Sequence, residues 1–164
     1  MKRVIAFCNR KGGTGKTTTA VNVSTALAHM GRRVMLIDLD PQSHVGLSFG
    51  VSPKSVSDDI SGWLLKRSGI NDLLVDTYLE NLKIVPATGN LWKFEQSFKM
   101  KDGARDLLSR RVEELNGSFD YVVFDTPPTV GLLTVSALVA CKEVYVPMQT
   151  HFLSMEGLAE TLSL

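Results

Sequence analysis

Residues 9–18 read NRKGGTGKTT, and this stretch decides the fold of the chain. The apolar run VIAF (residues 4–7) leads into it, and a segment with helical periodicity follows it. The order of strand, glycine-rich loop and helix is the context that a phosphate-binding loop requires. Closely spaced glycines let successive backbone N–H groups turn towards one anion, and the positive end of the following helix reinforces them. The stretch therefore predicts a binding site for phosphate.

The match to the common phosphate-loop pattern G-x-x-x-x-G-K-[ST] is incomplete. Gly15, Lys16 and Thr17 fit the pattern, whereas Arg10 occupies the position of its first glycine. A second lysine, Lys11, precedes the double glycine instead. The form K-G-G-x-G-K-T-T resembles the deviant Walker A loop of the ParA/Soj/MinD family of ATPases, which more often has valine where this chain has a threonine between the glycines.

The resemblance implies a role for each residue of the loop. The backbone from Gly12 to Lys16 would surround the α- and β-phosphates of ATP, and Lys16 would contact the β- and γ-oxygens. Thr17 would ligate Mg²⁺, and Thr18 would contact the α-phosphate. In the family the signature lysine, here Lys11, crosses to the nucleotide of a second subunit, so that ATP holds a homodimer together. The predicted cofactor-binding residues are Lys11, Gly12, Gly13, Thr14, Gly15, Lys16, Thr17 and Thr18.

Two acidic residues follow the next apolar run, VMLI (residues 34–37), which is typical of a central parallel strand. Ligands of such sheets lie beyond the carboxyl ends of the strands, where Asp38 and Asp40 are placed. For Asp38 a turn or capping role and a functional role both stay open. The DPQ at residues 40–42 resembles the family's switch I, which implies that Asp40 positions the attacking water and the metal shell. His44 stands where the family often has asparagine, and we expect it to face solvent in a loop.

A third signature lies in the apolar strand FDYVVF (residues 119–124), which ends in Asp125 and is followed by Thr-Pro-Pro. It looks like a Walker B strand, whose aspartate holds Mg²⁺ through its water shell. The Thr-Pro-Pro resembles the family's switch II, in which prolines fix the chain close to the γ-phosphate. The predicted catalytic residues are Lys11, Lys16 and Asp40, and the predicted metal residues are Thr17, Asp40 and Asp125.

The remaining segments alternate between helical and strand patterns without internal repeats. We expect helices over residues 17–30, 57–66 and 131–140, two between 91 and 115 and one from 154, and further strands over 82–88 and 143–148. The alternation predicts a doubly wound α/β fold, with a mainly parallel sheet flanked by helices, in a single domain spanning residues 1–164. The resemblance makes it the P-loop NTPase fold. Relatives usually continue through more strands and helices, so we expect the C-terminal part of the domain to be absent.

Composition is that of a soluble globular protein, with 44% hydrophobic and 21% charged residues among 164. The formal net charge of +1 gives no strong overall attraction to nucleic acid or to membranes. Basic residues near 99–111 alternate with acids, which favours a solvated helix face over a DNA contact. Cys8 and Cys141 are expected to be reduced thiols because they lack metal-ligand spacing. No signal peptide is visible, so we expect a cytoplasmic protein.

Similarity to the ParA/Soj branch implies a slow, partner-stimulated Mg²⁺-dependent ATPase that acts as an ATP-dependent dimer switch in plasmid or chromosome segregation. The implied partners are a second copy, a ParB-like activator and non-specific DNA on the bacterial nucleoid, without a membrane. Alternatives are a MinD-like membrane-associated ATPase, a superfamily enzyme such as dethiobiotin synthetase or nitrogenase iron protein, and a scaffold with negligible turnover. Guanine specificity is not indicated, because the sequence contains no N-K-x-D motif. The cargo and the partner protein stay open.

Overall fold

The computed structural model describes residues 2–98, 103–115 and 117–150. The described strands are β1 Arg3–Phe7, β2 Val34–Asp38, β3 Val75–Asp76, β4 Leu82–Val85, β5 Tyr121–Asp125 and β6 Glu143–Tyr145. The described helices are α1 Lys16–His29, α2 His44–Ser48, α3 Ile60–Leu64, α4 Ile70–Leu73, α5 Asn90–Ser97, α6 Leu107–Glu113 and α7 Leu132–Ala140, with a 3₁₀ turn at Pro53–Ser55.

The strands form one sheet in the order β3-β4-β2-β5-β1-β6, and every neighbouring pair is parallel except β3 with β4. This confirms the doubly wound, mainly parallel fold. Strand β5 lies between β1 and β2, with Asp125 in register with Phe7 on one side and with Asp38 on the other. Three strands therefore end together at one edge, which is the usual ligand side of such a sheet.

Strand β2 shows how the chain builds its two hydrophobic layers. Met35 and Ile37 pack on the face covered by α3, α5, α6 and α7, whereas Val34 and Leu36 pack on the face covered by α1 and α2. All four side chains are fully buried. Because both faces of the strand are covered, its sequence is continuously apolar and does not alternate. Each such side chain contributes about 1.5–3 kcal/mol to folding, which fixes the strand ends that carry the acidic residues.

Helix α1 packs on the sheet through small side chains. Its buried residues include Ala20, Ser24 and Ala28, whereas Met30, directly after the helix, is 72% exposed. Small residues let the helix approach the sheet closely. The larger side chains of the helix then lie at the edges of the contact between helix and sheet. Gly31 follows with φ 75°, a left-handed conformation typical of a glycine that ends a helix.

Several other predictions can be compared with the structure. The helix expected over residues 57–66 is the shorter α3, whose Trp63 is 4% exposed in the core. Arg111 was expected on a solvated face, but it is 7% exposed and bonded to Glu114, so that prediction is wrong for this residue. The predicted helix from residue 154 lies outside the described residues. Within the described ranges, no helix is both long and apolar enough to cross a membrane.

Candidate functional site

The loop between β1 and α1 has the conformation that an anion cradle needs. Gly13 and Gly15 have φ 72° and 89°, values that L side chains rarely adopt. Gly15 precedes α1 and provides no side-chain cap, so the N–H groups of the first turn stay available to a ligand. A Cβ added at Gly12 or Gly13 would meet no atom within 4 Å, so these two residues border open space.

Two amide side chains hold this loop in place. The Oδ1 of Asn9 accepts the N–H of Lys11 at 2.9 Å, and its Nδ2 donates to the carbonyl of Pro147 at 2.9 Å. The Nε2 of Gln149 donates to the carbonyl of Gly13 at 3.3 Å. The segment after β6 therefore supports the loop from outside. Sequence reasoning missed both contacts because the bonded residues are 138 and 136 positions apart.

The two loop lysines lie in different environments. Lys16 is 7% exposed and lines the cleft beside the loop, where its Nζ donates to the carbonyl of Lys11 at 3.3 Å. Burial lowers the pKa of Lys16, while Asp125 and Asp40 oppose this shift. The side chain of Lys11 does not line that cleft and has no ion pair within the described part of the chain. Of the two loop lysines, Lys16 is therefore the one placed to neutralise an anion bound by the same protomer.

The carboxylate of Asp125 is buried at the end of β5. It is 0% exposed, and neither oxygen has a well-formed hydrogen bond among the described residues. Burial raises the pKa of Asp125 to about 6; the nearby Thr17 hydroxyl opposes the shift, and Asp40 adds to it. An unpaired buried carboxylate is costly unless a cation or hydrogen bond compensates it. Oxygen donors of this kind suit Mg²⁺, so the residues present fit that ion.

The predicted metal residues do not form a complete cage. Within the described ranges, no group of three His, Cys, Asp or Glu side chains could hold a metal ion. Mg²⁺ is usually bound by one or two carboxylates together with water and substrate phosphates. A magnesium ion held through Thr17, Asp40 and Asp125 would therefore depend on phosphate oxygens for the rest of its shell, which couples metal binding to nucleotide binding.

Asp38 organises the segment that follows β2. Its Oδ1 accepts the N–H of Asp40 at 2.9 Å, and its Oδ2 accepts the N–H of Val45 at 3.0 Å. Burial raises the pKa of Asp38 well above its usual range, the neighbouring Asp125 adds to this, and the two N–H donors oppose it. Of the two roles left open by the sequence, the structure shows the turn-forming one. Asp38 thereby fixes the position of Asp40 at the cleft.

The switch I segment contains a feature that the sequence did not predict. Ser43 adopts φ 56° and is fully buried, and its hydroxyl has no partner among the described residues. His44 is exposed as expected, but it begins α2 and lies in no loop, so that part of the prediction is wrong. Its side chain lines the same cleft as Lys16 and Asp40, which has a volume of about 420 Å³.

Switch II is anchored on both sides. The hydroxyl of Thr126 donates to the carbonyl of Phe7 at 2.9 Å, which ties it to the end of β1. Pro128 lines the cleft opposite the glycine loop. The start of α7 is held from α5, because a carboxylate oxygen of Glu95 accepts the N–H of Leu133 at 2.9 Å. The predicted loop, Asp40, Asp125 and Pro128 therefore meet at one edge of the sheet.

Comparison with known proteins agrees with this geometry. A family profile described as an AAA domain matches residues 2–164. The chain belongs to this AAA domain family. The expected resemblance to ParA and Soj proteins is confirmed by two relatives. The sporulation initiation inhibitor protein Soj of Bacillus subtilis is 36% identical over 99% of this chain and 64% of its own length. The chromosome partitioning protein ParA of Myxococcus xanthus is 38% identical over 96% of this chain and 56% of its own length.

One protein of known structure that is similar to this chain was solved with bound ligands. The cobyrinic acid a,c-diamide synthase from Mycobacterium smegmatis, with bound ATP analog and magnesium, is 37% identical and superposes with a TM-score of 0.93. The match covers 99% of this chain and 66% of that one. The AAA domain therefore spans between 56% and 66% of the length of these three relatives.

The raised pKa of Asp125 predicts an unusual pH dependence of stability. The folded protein holds this proton up to about pH 6, whereas the unfolded chain releases it near the ordinary value of 3.8. Stability should therefore fall as the pH rises from about 4 to 6. Without magnesium and nucleotide, Asp125→Asn should raise the free energy of unfolding by about 2 kcal/mol at pH 7.5 and leave it unchanged at pH 4.

Urea unfolding at the two pH values measures this effect. Asp120→Asn is the control with opposite sign, because hydrogen bonds from Arg33 lower the pKa of Asp120 to about 2. That variant should lose stability at pH 7.5. Equal stability of Asp125→Asn and the wild type at pH 7.5 would show that the Asp125 carboxylate is not left unpaired in solution.

Proposed function

We propose that the AAA domain binds and hydrolyses Mg²⁺-ATP. The observation that carries this proposal is a cleft lined by the left-handed glycine loop and the buried Lys16, with the buried Asp125 carboxylate beside Thr17 and Lys16 of that cleft. The first two supply positive charge and N–H donors for a polyphosphate, and the third supplies an oxygen for its metal ion. The solved relative with an ATP analog and magnesium supports the same ligands.

Each group of the cleft has a role in phosphoryl transfer, in which catalysis consists mainly of positioning and charge stabilisation. The loop from Gly12 to Thr18 binds the phosphates, and Lys16 stabilises charge on the β- and γ-oxygens. Thr17 would ligate Mg²⁺ and Asp125 would hold its water shell, and the ion would supply positive charge that offsets the charge developing on the phosphates. Asp40, held by the Asp38 turn, orients the attacking water.

The biological role that we propose is DNA partitioning. The relatives named Soj and ParA support it, since they match nearly the whole of this chain. ATP would join two copies through Lys11, the dimer would bind non-specific DNA on the bacterial nucleoid, and a ParB-like activator would stimulate slow hydrolysis. A second candidate, ATP-dependent synthesis, is supported by the name of the solved relative.

Co-sedimentation tests the role. The protein is mixed with plain DNA or with anionic liposomes, each with and without Mg²⁺-ATP. Partitioning predicts sedimentation with DNA only when ATP is present. Sedimentation with liposomes would favour a MinD-like role instead. ATP turnover that does not change when DNA is added but requires a small-molecule acceptor would favour ATP-dependent synthesis.

Replacing Asp40 should separate binding from turnover. Asp40 lies in a cleft whose phosphate contacts come from other residues, so Asp40→Ala should still bind ATP and dimerise. Loss of the water-orienting group should reduce phosphate release by about 10²-fold or more, the usual size of such contributions. Phosphate release and light scattering measure the two effects, with Asp76→Ala in the exposed edge strand as control. Normal phosphate release by the Asp40 variant would remove this residue from the mechanism.

A further inference from the structure

A second concave surface, which we call the α3–α5 groove, lies away from the phosphate cleft and shares no lining residue with it. Its volume is about 560 Å³, within the range of ordinary ligand sites. One wall comes from α3 and the turn after it, and the other comes from α5. The lining residues that matter below are Asp58, Arg67, Lys93, Phe94 and Phe98.

The walls of the α3–α5 groove are bonded to each other. The Asp59 carboxylate accepts the N–H of Ser61 at 2.9 Å and also the hydroxyl of Thr88. The hydroxyl oxygen of Thr88 also accepts the N–H of Asn90 at 3.1 Å, at the residue where α5 begins. Asp59 is fully buried, so the link is protected from water. The starts of α3 and α5 are therefore fixed relative to each other, and the groove exists before any ligand arrives.

The floor of the α3–α5 groove is aromatic. Phe94 and Phe98 stack on each other, with ring centroids 4.9 Å apart and an interplanar angle of 24°. Phe94 is 5% exposed and packs into the hydrophobic core, whereas Phe98 is partly exposed. A buried ring that supports a second, accessible ring gives a rigid apolar contact surface at little entropic cost.

The rim of the groove carries cations without partners. Arg67 and Lys93 are exposed, and neither side chain has a hydrogen bond or ion pair in the described part of the chain. The acid of the groove, Asp58, is already engaged by the hydroxyl of Ser68 and by the N–H of Asp59. The groove thus offers positive charge beside an aromatic surface, which is complementary to a carboxylate next to an apolar side chain.

We propose that the α3–α5 groove binds an acidic peptide segment of a partner protein. A carboxylate of the segment pairs with Arg67 and Lys93, and an aromatic or aliphatic side chain next to it packs on Phe98. A peptide suits the groove better than a nucleic acid does, because Asp58 repels a polyanion and, among the described lining residues, the cations are Arg67 and Lys93 alone. Serine hydroxyls along both walls can bond a peptide backbone.

The proposal is tested by selecting peptides that bind the protein from a random heptapeptide phage library. No nucleotide is added during the selection. Enriched peptides should carry Asp or Glu within two or three positions of Phe, Trp or Leu. The affinity of a selected peptide, measured by fluorescence polarisation, should fall by about tenfold or more in an Arg67→Glu, Lys93→Glu double variant. The matched control reverses the charge of two exposed lysines outside the groove, Lys54→Glu and Lys142→Glu. This variant should bind the peptide as the wild type does.

Three results would overturn the proposal. The first is that the enriched peptides contain no acidic residues. The second is that the Arg67→Glu, Lys93→Glu variant binds the peptide as tightly as the wild type does. The third is that plain DNA displaces the peptide. Both double variants alter exposed side chains, and equal melting temperatures confirm that they fold. The readout requires neither ATP nor turnover, so it succeeds or fails independently of the proposed ATPase.

Discussion

Lys16→Ala should abolish measurable Mg²⁺-ATP binding at micromolar nucleotide and lower turnover by about 10²–10³-fold, the cost of removing one preorganised donor from a charged transition state. The reason is the position of Lys16 at the start of α1, where the residue is 7% exposed and lines the cleft. Burial has already removed most of the water around this side chain, so little desolvation remains when a phosphate arrives. Alanine removes from the cleft the cation that contacts the β- and γ-oxygens of the bound phosphates.

The same substitution should not unfold the protein. Among the described residues the Nζ of Lys16 bonds the carbonyl of Lys11 and no other group, and burial disfavours its charged form. Removing the ammonium therefore costs little stability, and the melting temperature without nucleotide should stay the same or rise. Calorimetry with Mg²⁺-ATP measures binding, and Lys54→Ala on an exposed turn is the control. Unchanged affinity in the Lys16 variant would mean that the nucleotide does not bind at the glycine loop.

The fold was predictable where the sequence repeats a simple physical pattern. Strands β2 and β5 are buried on both faces and therefore read as continuous apolar runs, and Gly31 marks the end of α1. The two-residue strand β3 gave no such signal, because an edge pairing of this length depends on its partner β4 and not on its own residues. The five-residue helix α2 was missed for a similar reason, since one and a half turns show no periodicity.

The candidate site was predictable where chemistry depends on local spacing. The glycine loop, Asp40 and Asp125 follow strands directly, so their meeting at one edge follows from the parallel sheet. The supports of the site were not predictable. Asn9 and Gln149 act through bonds to residues more than 130 positions away. Ser43 takes a left-handed conformation because the Asp38 turn constrains the chain around it, which no property of serine indicates.

The second large effect is expected for Lys11. Its carbonyl accepts the Nζ of Lys16, but its own side chain lies outside the lining of the phosphate cleft. An ammonium so placed can neutralise an anion on another protomer, as an arginine finger does. Lys11→Ala should therefore abolish ATP-dependent dimerisation in light scattering and lower turnover by about 10³-fold or more, while monomers still bind nucleotide. Lys54→Ala again serves as the control.

Mixing two inactive variants tests whether Lys11 acts across the dimer. A Lys11→Ala protomer keeps Lys16 and binds nucleotide, and a Lys16→Ala protomer keeps Lys11 and can donate it. If the lysine acts in trans, their heterodimer contains one complete site, and the mixture should regain turnover that neither variant shows alone. A lysine acting within its own protomer gives no complete site in any pairing, so the mixture would stay inactive. Unchanged ATP-dependent dimerisation of Lys11→Ala alone would contradict the role directly, because the charge between the two nucleotides would then be neutralised by other residues.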